Sequence, residues 1–409
     1  MSSRQWSRGI VCLAVAALAL VPAQAGADTK PASHPPQLSA AAWILVDAGD
    51  RTRLAAHDPN SSRAMASTTK LMTAYLALHR LPLKRQVAAP AYHPIPGESL
   101  LGLEPGERMS VRDLLYGLLL PSGNDAAVTL ADGVAGSTVA FAHDMNRAAR
   151  RLGLDETSYS NPIGLDQPGN YSSPRDLADL ALTLRQDELF RRIVDTSSIT
   201  LQTGNHPRTI ENHNDLVLSH PWINGVKTGY TPDAGNVLVA SGTRKGVTLL
   251  SVVMGAPTIA ARDSDTLALL DYGFSLYRRE VAVRPGEKLG SAQVPNADSR
   301  VSLTAEGRVG TTVRRGQRVQ VAVDAPSSIE APIRRGERLG VATATLAGQP
   351  VGRVPVVAAH PVRPAEGSPV ASVDDAIPGP RVVVWLIFVV VVAIVILIGA
   401  ALARRTRSG

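Results

Sequence analysis

An uncharged run of 22 apolar and small residues near the C-terminus, residues 382–403, is the feature that most limits how this chain can fold. As an α-helix the run would be roughly 33 Å long, enough to cross a hydrocarbon core about 30 Å thick. Arg404, Arg405 and Arg407 follow it at once, as the positive-inside rule expects of a cytoplasmic end. We therefore expect one transmembrane helix over 382–403 and a cytoplasmic tail over 404–409.

The N-terminal segment, residues 1–27, has the layout of a secretory signal peptide. Arg4 and Arg8 precede an apolar stretch that is too short to span a bilayer, and small residues suited to cleavage follow it. Cys12, the only cysteine of the chain, lies in this segment, so the exported body has no thiol for a disulfide or a thiolate metal site. The two ends together predict a single-pass type I protein of the cell membrane, with its body on the extracytoplasmic side.

The net charge of +7 comes mainly from these two ends. Two arginines lie in the N-terminal segment and four flank the C-terminal apolar run, with no acidic residue in either part. Residues 28–380 therefore retain a net charge of only +1. The basic balance indicates membrane topology, and we expect no nucleic-acid partner.

Residues 28–278 alternate between strand-like and helix-like patterns, which predicts one mixed domain. Residues 42–46 form a short apolar strand pattern, and 237–241 with 247–253 predict an antiparallel hairpin around a glycine-containing turn. The helical patterns begin at Thr69, Ser110, Phe141 and Ser173. Helices combined with an antiparallel sheet indicate an α/β (α+β) domain rather than a doubly wound one.

The pattern changes after residue 278. Short Val- and Leu-bearing runs alternate with turns that contain Arg and Gly, which predicts a small all-β domain over 279–362. This part carries no cluster of chemically reactive side chains, so we interpret it as a spacer or a protein–protein platform. Residues 363–381 are rich in Pro, Ser and Gly and are typical of a linker.

Lysine is rare in this chain, with six lysines among 42 basic residues. Only lysine has an amine whose pKa burial and neighbouring charges can lower toward neutrality. Lys70 follows Ser67 by three positions, which places both side chains on one face of a helix. A desolvated lysine there could activate the serine hydroxyl, although the same spacing also occurs in surface helices with no chemical role.

Two further motifs strengthen the catalytic interpretation. Ser122-Gly123-Asn124 follows the leucine-rich helix, and Lys227-Thr228-Gly229 begins a predicted strand. In this order, S-x-x-K, S-x-N and K-T-G resemble the serine D-alanyl-D-alanine carboxypeptidases, the low-molecular-mass penicillin-binding proteins of peptidase family S11. The blocks ASTTKLMTA, NPIGLD and INGVKTGYTPDAGN extend the resemblance over 38–278, and 279–362 resembles the C-terminal β domain of that family.

The resemblance implies three catalytic residues. Ser67 would attack the carbonyl between two terminal D-alanines, Lys70 would be its general base, and Ser122 would relay a proton to the leaving amine.

The same resemblance implies a substrate-binding set. Asn124 would position Lys70 and the substrate amide, and Lys227 would help to keep Lys70 neutral. Lys227 and Thr228 would hold the terminal carboxylate, with Gly229 completing the motif. The backbone N–H groups of Ser67 and Tyr230 would form the oxyanion hole.

The implied activity is removal of the terminal D-alanine from peptidoglycan stem pentapeptides through an acyl-enzyme. β-Lactam antibiotics would acylate the same serine, and neither a cofactor nor a metal is expected. A β-lactamase is one alternative, but those enzymes carry a Glu-bearing loop, and Glu156 lies in an ordinary turn pattern. A non-catalytic cell-wall or divisome scaffold is the other, although all three motifs are intact.

The chain departs from the family pattern at two positions. Many relatives carry His at the position of Ile163, and some carry His at the position of Tyr230, so deacylation could be tuned differently here.

His213 is interpreted as support for the K-T-G strand and not as a metal ligand.

Overall fold

The computed structural model describes residues 34–365. The predicted signal peptide, transmembrane helix and cytoplasmic tail, and most of the predicted linker, lie outside these residues. Within 34–365, no helix has both the length and the apolar character needed to cross a bilayer. The chain divides into two compact units after Arg278.

The first unit combines helices with a central antiparallel sheet. Its elements in chain order are β1 (Ala42–Asp47), β2 (Arg53–His57), α1 (Lys70–Arg80), β3 (Gln86–Ala88), β4 (Arg108–Ser110), α2 (Val111–Leu119), α3 (Asn124–Ala135), α4 (Thr138–Leu152), α5 (Pro174–Leu184), α6 (Glu188–Val194), β5 (Ser198–Leu201), β6 (Arg208–Glu211), α7 (Asp215–Ser219), β7 (Ile223–Thr231), β8 (Gly235–Arg244), β9 (Val247–Ala256) and α8 (Ile259–Ser275). β3 pairs with β4 and β5 with β6, each as a separate two-stranded sheet.

The central sheet has the strand order β2-β1-β9-β8-β7, and every pair is antiparallel. The predicted hairpin is confirmed as β8 and β9. β7, at one edge of the sheet, carries the Lys-Thr-Gly motif, but the strand begins at Ile223, earlier than the motif suggested. The edge position leaves one side of β7 without a neighbouring strand of this sheet.

Both faces of the central sheet are apolar because successive side chains along a strand point to opposite sides. Ile44 and Val46 of β1 belong to a large core formed with α1 to α6. Leu45 belongs to a second core, in which Leu269 and Leu270 of α8 cover the opposite face. The predicted α/β (α+β) class with an antiparallel sheet is confirmed.

The helix boundaries follow from capping residues that the sequence shows directly. The Ser110 hydroxyl accepts a hydrogen bond from the backbone N–H of Asp113, and Ser173 does the same for Asp176, both at 3.1 Å. Gly153 ends α4 in a left-handed conformation with φ +69°. The predicted helix starts at Ser110 and Ser173 are therefore confirmed.

The second unit is built from strands, which confirms the predicted all-β character of this part. Its strands are β10 (Tyr277–Val283), whose first two residues precede the division, β11 (Lys288–Val294), β12 (Ser299–Ala305), β13 (Val309–Arg314), β14 (Val319–Asp324), β15 (Arg338–Leu346) and β16 (Gln349–Ala358). Five of them form a sheet in the order β11-β12-β16-β15-β14, and β10 pairs with β13. One turn motif recurs: Glu287 accepts from the backbone N–H of Arg284 at 2.8 Å, and Gln317 and Glu337 form the equivalent bonds.

Candidate active site

Ser67 and Lys70 lie at the junction between a short 3-10 helix, Ala66–Thr69, and α1. The two residues are three positions apart in helical backbone, so their side chains share one face. Lys70 Nζ is 2.9 Å from Ser67 Oγ and donates to the backbone carbonyl of Ile163 at 2.7 Å. The amine is fully buried, whereas Ser67 is partly exposed, so the structure places a desolvated amine beside an accessible hydroxyl.

The surroundings of Lys70 favour its neutral form. Burial lowers the pKa of the Lys70 amine well below its usual value, and the positive charge of Lys227 lowers it further. The carboxylates of Glu98 and Asp125 act in the opposite direction. A neutral amine at hydrogen-bonding distance can accept the proton of a serine hydroxyl. The arrangement can therefore activate Ser67 as a nucleophile.

Ser122 and Asn124 of the second motif have different environments. Ser122 is buried, and its Oγ has no hydrogen-bond partner among residues 34–365. Asn124, the first residue of α3, donates from Nδ2 to Glu98 Oε2 at 2.7 Å. The resemblance implies that Asn124 positions Lys70 and the substrate amide, and this role stays a prediction; the bond from Asn124 to Glu98 adds a contact that the sequence did not suggest. The hydroxyl of Ser122 remains available to a ligand.

Two non-glycine residues of the site have a left-handed backbone. Ala66, directly before the nucleophile, has φ +49°, and Ser122 has φ +65°. Such conformations cost about 1–3 kcal/mol each and persist only where the surrounding structure imposes them. Both residues therefore mark backbone that is held in place by its packing.

Two glycines allow other segments to approach the nucleophile closely. A Cβ at Gly229 would lie 2.9 Å from the backbone nitrogen of Ser67, so the free side of β7 packs against the turn that carries this serine. A Cβ at Gly164 would lie only 2.0 Å from the carbonyl oxygen of Ala66. Glycine is required at both positions because any side chain would displace the turn.

Lys227 of the third motif is also fully buried, and its Nζ donates to the carbonyl of Thr228 at 3.0 Å. Burial, and then the positive charge of Arg262, lower the pKa of Lys227 to about 7. Arg262 is itself buried on α8. Its guanidinium pairs with the Asp263 carboxylate at 2.7 Å, and Arg262 also lines the cavity, so two basic residues lie on this side of the site.

A cavity of about 500 Å³ joins the three motifs. The predicted site residues in its wall are Ser67, Ser122, Thr228, Gly229 and Tyr230. The remaining predicted residues, Lys70, Asn124 and Lys227, are buried. The Tyr230 side chain is 65% exposed. All eight predicted residues therefore belong to one region of the first unit.

Sequence reasoning missed Arg262 and Glu98 in this region, and it interpreted His213 only as support for the K-T-G strand. Arg262 and His213 line the cavity, and Glu98 contacts Asn124. Burial, and then the charge of Lys227, lower the pKa of His213. No local sequence signal marks Arg262, whereas Glu98 stands out as an acidic residue in a stretch rich in Pro and Gly. Across residues 34–365 no cluster of His, Cys, Asp and Glu could hold a metal ion.

Comparison with protein-family models gives two matches. Residues 29–258 match the D-alanyl-D-alanine carboxypeptidase model of peptidase family S11. Residues 280–363 match the model of the C-terminal domain of penicillin-binding protein 5.

Curated proteins and solved structures give matches of the same kind. The chain is 30% identical to D-alanyl-D-alanine carboxypeptidase DacF of Bacillus subtilis over 301 residues, covering 72% of this chain and 76% of DacF. It is 35% identical to DacC of Escherichia coli, covering 69% and 73%. Penicillin-binding protein 5 of Haemophilus influenzae superposes with a TM-score of 0.57 at 29% identity, covering 81% of this chain and all of that one. The Streptomyces K15 DD-transpeptidase superposes with a TM-score of 0.57 at 34% identity, covering 59% and 100%.

Proposed function

The chain belongs to the D-alanyl-D-alanine carboxypeptidase family of penicillin-binding serine peptidases, and from that premise we propose that Ser67 is its nucleophile. The proposal rests on the buried Lys70 amine, which lies 2.9 Å from Ser67 Oγ. Burial lowers the pKa of this amine strongly. The substrate is the D-alanyl-D-alanine end of a peptidoglycan stem peptide. Penicillins acylate the same hydroxyl because their strained amide imitates this end.

In acylation, neutral Lys70 accepts the proton of Ser67 as the oxygen attacks the penultimate D-alanine carbonyl. The bond to the terminal residue then breaks, and its nitrogen must gain a proton to leave as D-alanine. The buried hydroxyl of Ser122, free of other partners within residues 34–365, would pass its proton to this nitrogen and take up the proton that Lys70 removed from Ser67. Positioned proton transfer of this kind contributes about 10²–10⁴ in rate.

Backbone N–H groups stabilise the negative charge that develops on the carbonyl oxygen. We assign this role to the N–H groups of Ser67 and Tyr230, and the close packing of Gly229 against the Ser67 nitrogen supports it. The identity of the Tyr230 side chain is then of little consequence to this step. Each such donor typically contributes about 10²–10³ in rate.

The terminal carboxylate of the substrate needs a cationic partner. Lys227 and Arg262 are the basic residues of this side of the site, and a bound carboxylate would favour the charged form of Lys227. Thr228 in the cavity wall supplies a hydroxyl donor. Charge-assisted hydrogen bonds of this type are shorter and stronger than neutral ones. The arrangement selects peptides with a free C-terminus, as a carboxypeptidase requires.

Water completes the cycle by hydrolysing the acyl-enzyme. The β-lactamase alternative requires a carboxylate that drives fast deacylation, but Glu156 accepts a hydrogen bond from Ser62 at 2.9 Å and does not line the cavity. The scaffold alternative predicts degenerate motifs. Here the first motif is intact, and its Ser67 and Lys70 side chains are within hydrogen-bonding distance. Carboxypeptidase activity is therefore the proposal with the most support.

We further propose that the enzyme is exported and anchored in the cell membrane by residues 382–403. The uncharged run and the three arginines after it support this topology. It would hold the catalytic unit on the outer side of the membrane, where peptidoglycan lies.

The test is release of D-alanine from a stem pentapeptide by the full chain in detergent, comparing wild type with Ser67→Ala. We expect loss of release in Ser67→Ala, and unchanged release in the control Ser61→Ala, a nearby serine outside the cavity wall. Equal release by Ser67→Ala and wild type would overturn the assignment of the nucleophile. Turnover of penicillin as fast as that of the peptide would favour the β-lactamase alternative.

A further inference from the structure

Glu98 lies outside the three motifs, yet it binds three groups at the edge of the site. Its Oε2 accepts hydrogen bonds from Asn124 Nδ2, at 2.7 Å, and from the Tyr92 hydroxyl. Its Oε1 accepts from the backbone N–H of Ile95 at 3.0 Å. The carbonyl of Ser99 accepts from the backbone N–H of Asn124 at 2.8 Å. The segment around Glu98 is thus bound to the start of α3 through both main chain and side chain.

We propose that Glu98 is a positioning residue for acylation of Ser67: its carboxylate fixes the Asn124 amide at the start of α3, next to Ser122 in the cavity wall. The inference rests on the proposed function of Ser67. An ionised carboxylate only accepts hydrogen bonds, and both oxygens of Glu98 already have donors. Its three donors occupy three of the roughly four lone-pair sites of a carboxylate, so Glu98 holds the groups around it in place.

Glu98 is held in its ionised form. Burial alone would raise the pKa of its carboxyl, but the hydrogen bonds from Asn124 and Tyr92 lower it below its usual value. Burial and the hydrogen bond to Glu98 raise the pKa of Tyr92, which keeps that hydroxyl protonated as a donor. The group formed by Tyr92, Glu98 and Asn124 therefore keeps one protonation state through the neutral range.

Neighbouring charges of both signs set the pH at which Lys70 becomes a base. Lys227 lowers the pKa of Lys70, whereas Glu98 and Asp125 raise it. The Asp125 carboxylate also accepts backbone N–H bonds from residues 101–103. Removing the charge of Glu98 leaves the effect of Lys227 less opposed, so Lys70 loses its proton at lower pH. In the pH–rate profile of acylation, the acid limb is the range in which the rate rises as Lys70 loses its proton. This limb must then move to lower pH.

The experiment measures acylation of the full-length enzyme by a fluorescent penicillin as a function of pH. Glu98→Gln keeps an oxygen that can accept from Asn124 but removes the charge, so we expect the acid limb to move to lower pH. Glu98→Ala also removes the acceptor, and we expect the maximal rate constant to fall about 10- to 100-fold. Glu98→Gln should recover most of that loss.

Glu104→Gln is the matched control. Glu104 accepts from Asn205 at 2.8 Å in the same region but is not among the charges that act on Lys70. It should reproduce the wild-type pH profile. Circular dichroism of each variant establishes that it is folded.

Two results would overturn the inference. One is a Glu98→Gln profile that superimposes on wild type together with full activity of Glu98→Ala. The other is a wild-type acylation rate in Glu98→Gln together with an acyl-enzyme that is hydrolysed more slowly than in wild type, which would make Glu98 the base for deacylation. Acylation of Ser67→Ala at the wild-type rate would instead refute the proposed nucleophile, so the two failures are distinguishable.

Discussion

Gly164 packs against the turn that carries the nucleophile, and we expect Gly164→Ala to disable acylation. The added Cβ would lie 2.0 Å from the carbonyl oxygen of Ala66, which is 1.0 Å inside the 3.0 Å that real Cβ atoms essentially never undercut. The turn must therefore move by about 1 Å, and a misplacement of that size costs about 10²-fold in rate. We expect at least that loss in the rate constant for acylation of Ser67 by penicillin.

Gly164 also has φ +93°, so a substitution there strains the backbone as well. The control Gly136→Ala separates the two effects, because Gly136 has φ +74° and no atom within 4 Å of the added Cβ. Gly136→Ala should lose about 1–2 kcal/mol of stability through strain alone and keep its acylation rate. Thermal unfolding and single-turnover acylation of both variants measure the two quantities.

The reasoning would be refuted if Gly164→Ala were folded and acylated at the wild-type rate. That result would mean that the Ala66 carbonyl can move without Ser67, and thus that the turn does not fix the nucleophile.

Two further predictions concern charges. Lys227→Ala removes the positive charge that lowers the pKa of Lys70, so the acid limb of acylation should move to higher pH, opposite to Glu98→Gln, in the same penicillin assay; a shift to lower pH would contradict this. Arg208→Ala leaves the buried Glu107 carboxylate without its partner at 2.6 Å and should cost about 3–5 kcal/mol in urea unfolding. Burial alone would raise the pKa of Glu107, but the contacts with Arg208 lower it to about 2. The stabilisation is therefore present above the ordinary carboxyl pKa and is lost as pH falls toward 2. An unfolding curve of Arg208→Ala that matches wild type at pH 7 would refute this prediction.

The sequence predicts much of the fold because its determinants are local. The serine caps of α2 and α5 and the hairpin of β8 and β9 depend on residues within a few positions of each other. The distance between Ser67 and Lys70 is local in the same sense, since helical backbone sets it. These features need no knowledge of how distant segments meet.

The contacts that complete the site are not local. Glu98 meets Asn124 across 26 positions, and Lys70 meets Ile163 across 93. The charge of Arg262, on helix α8, acts on Lys227 of strand β7 although 35 positions of sequence separate them. Spacing in the chain carries no information on such pairs, so the sequence could suggest Asn124 as a site residue but not its partner.

Ile163 shows why a departure from the family pattern can be tolerated at this site. Its side chain is buried in the core shared with α1 to α6, whereas its backbone carbonyl accepts the hydrogen bond from Lys70 at 2.7 Å. A main-chain contact depends on the course of the loop and not on the side chain. That course is set by Asn161, whose Oδ1 accepts from the backbone N–H of Gly164 at 2.6 Å, and by the glycine itself. The loop can therefore keep its contact with Lys70 while the residue at 163 varies.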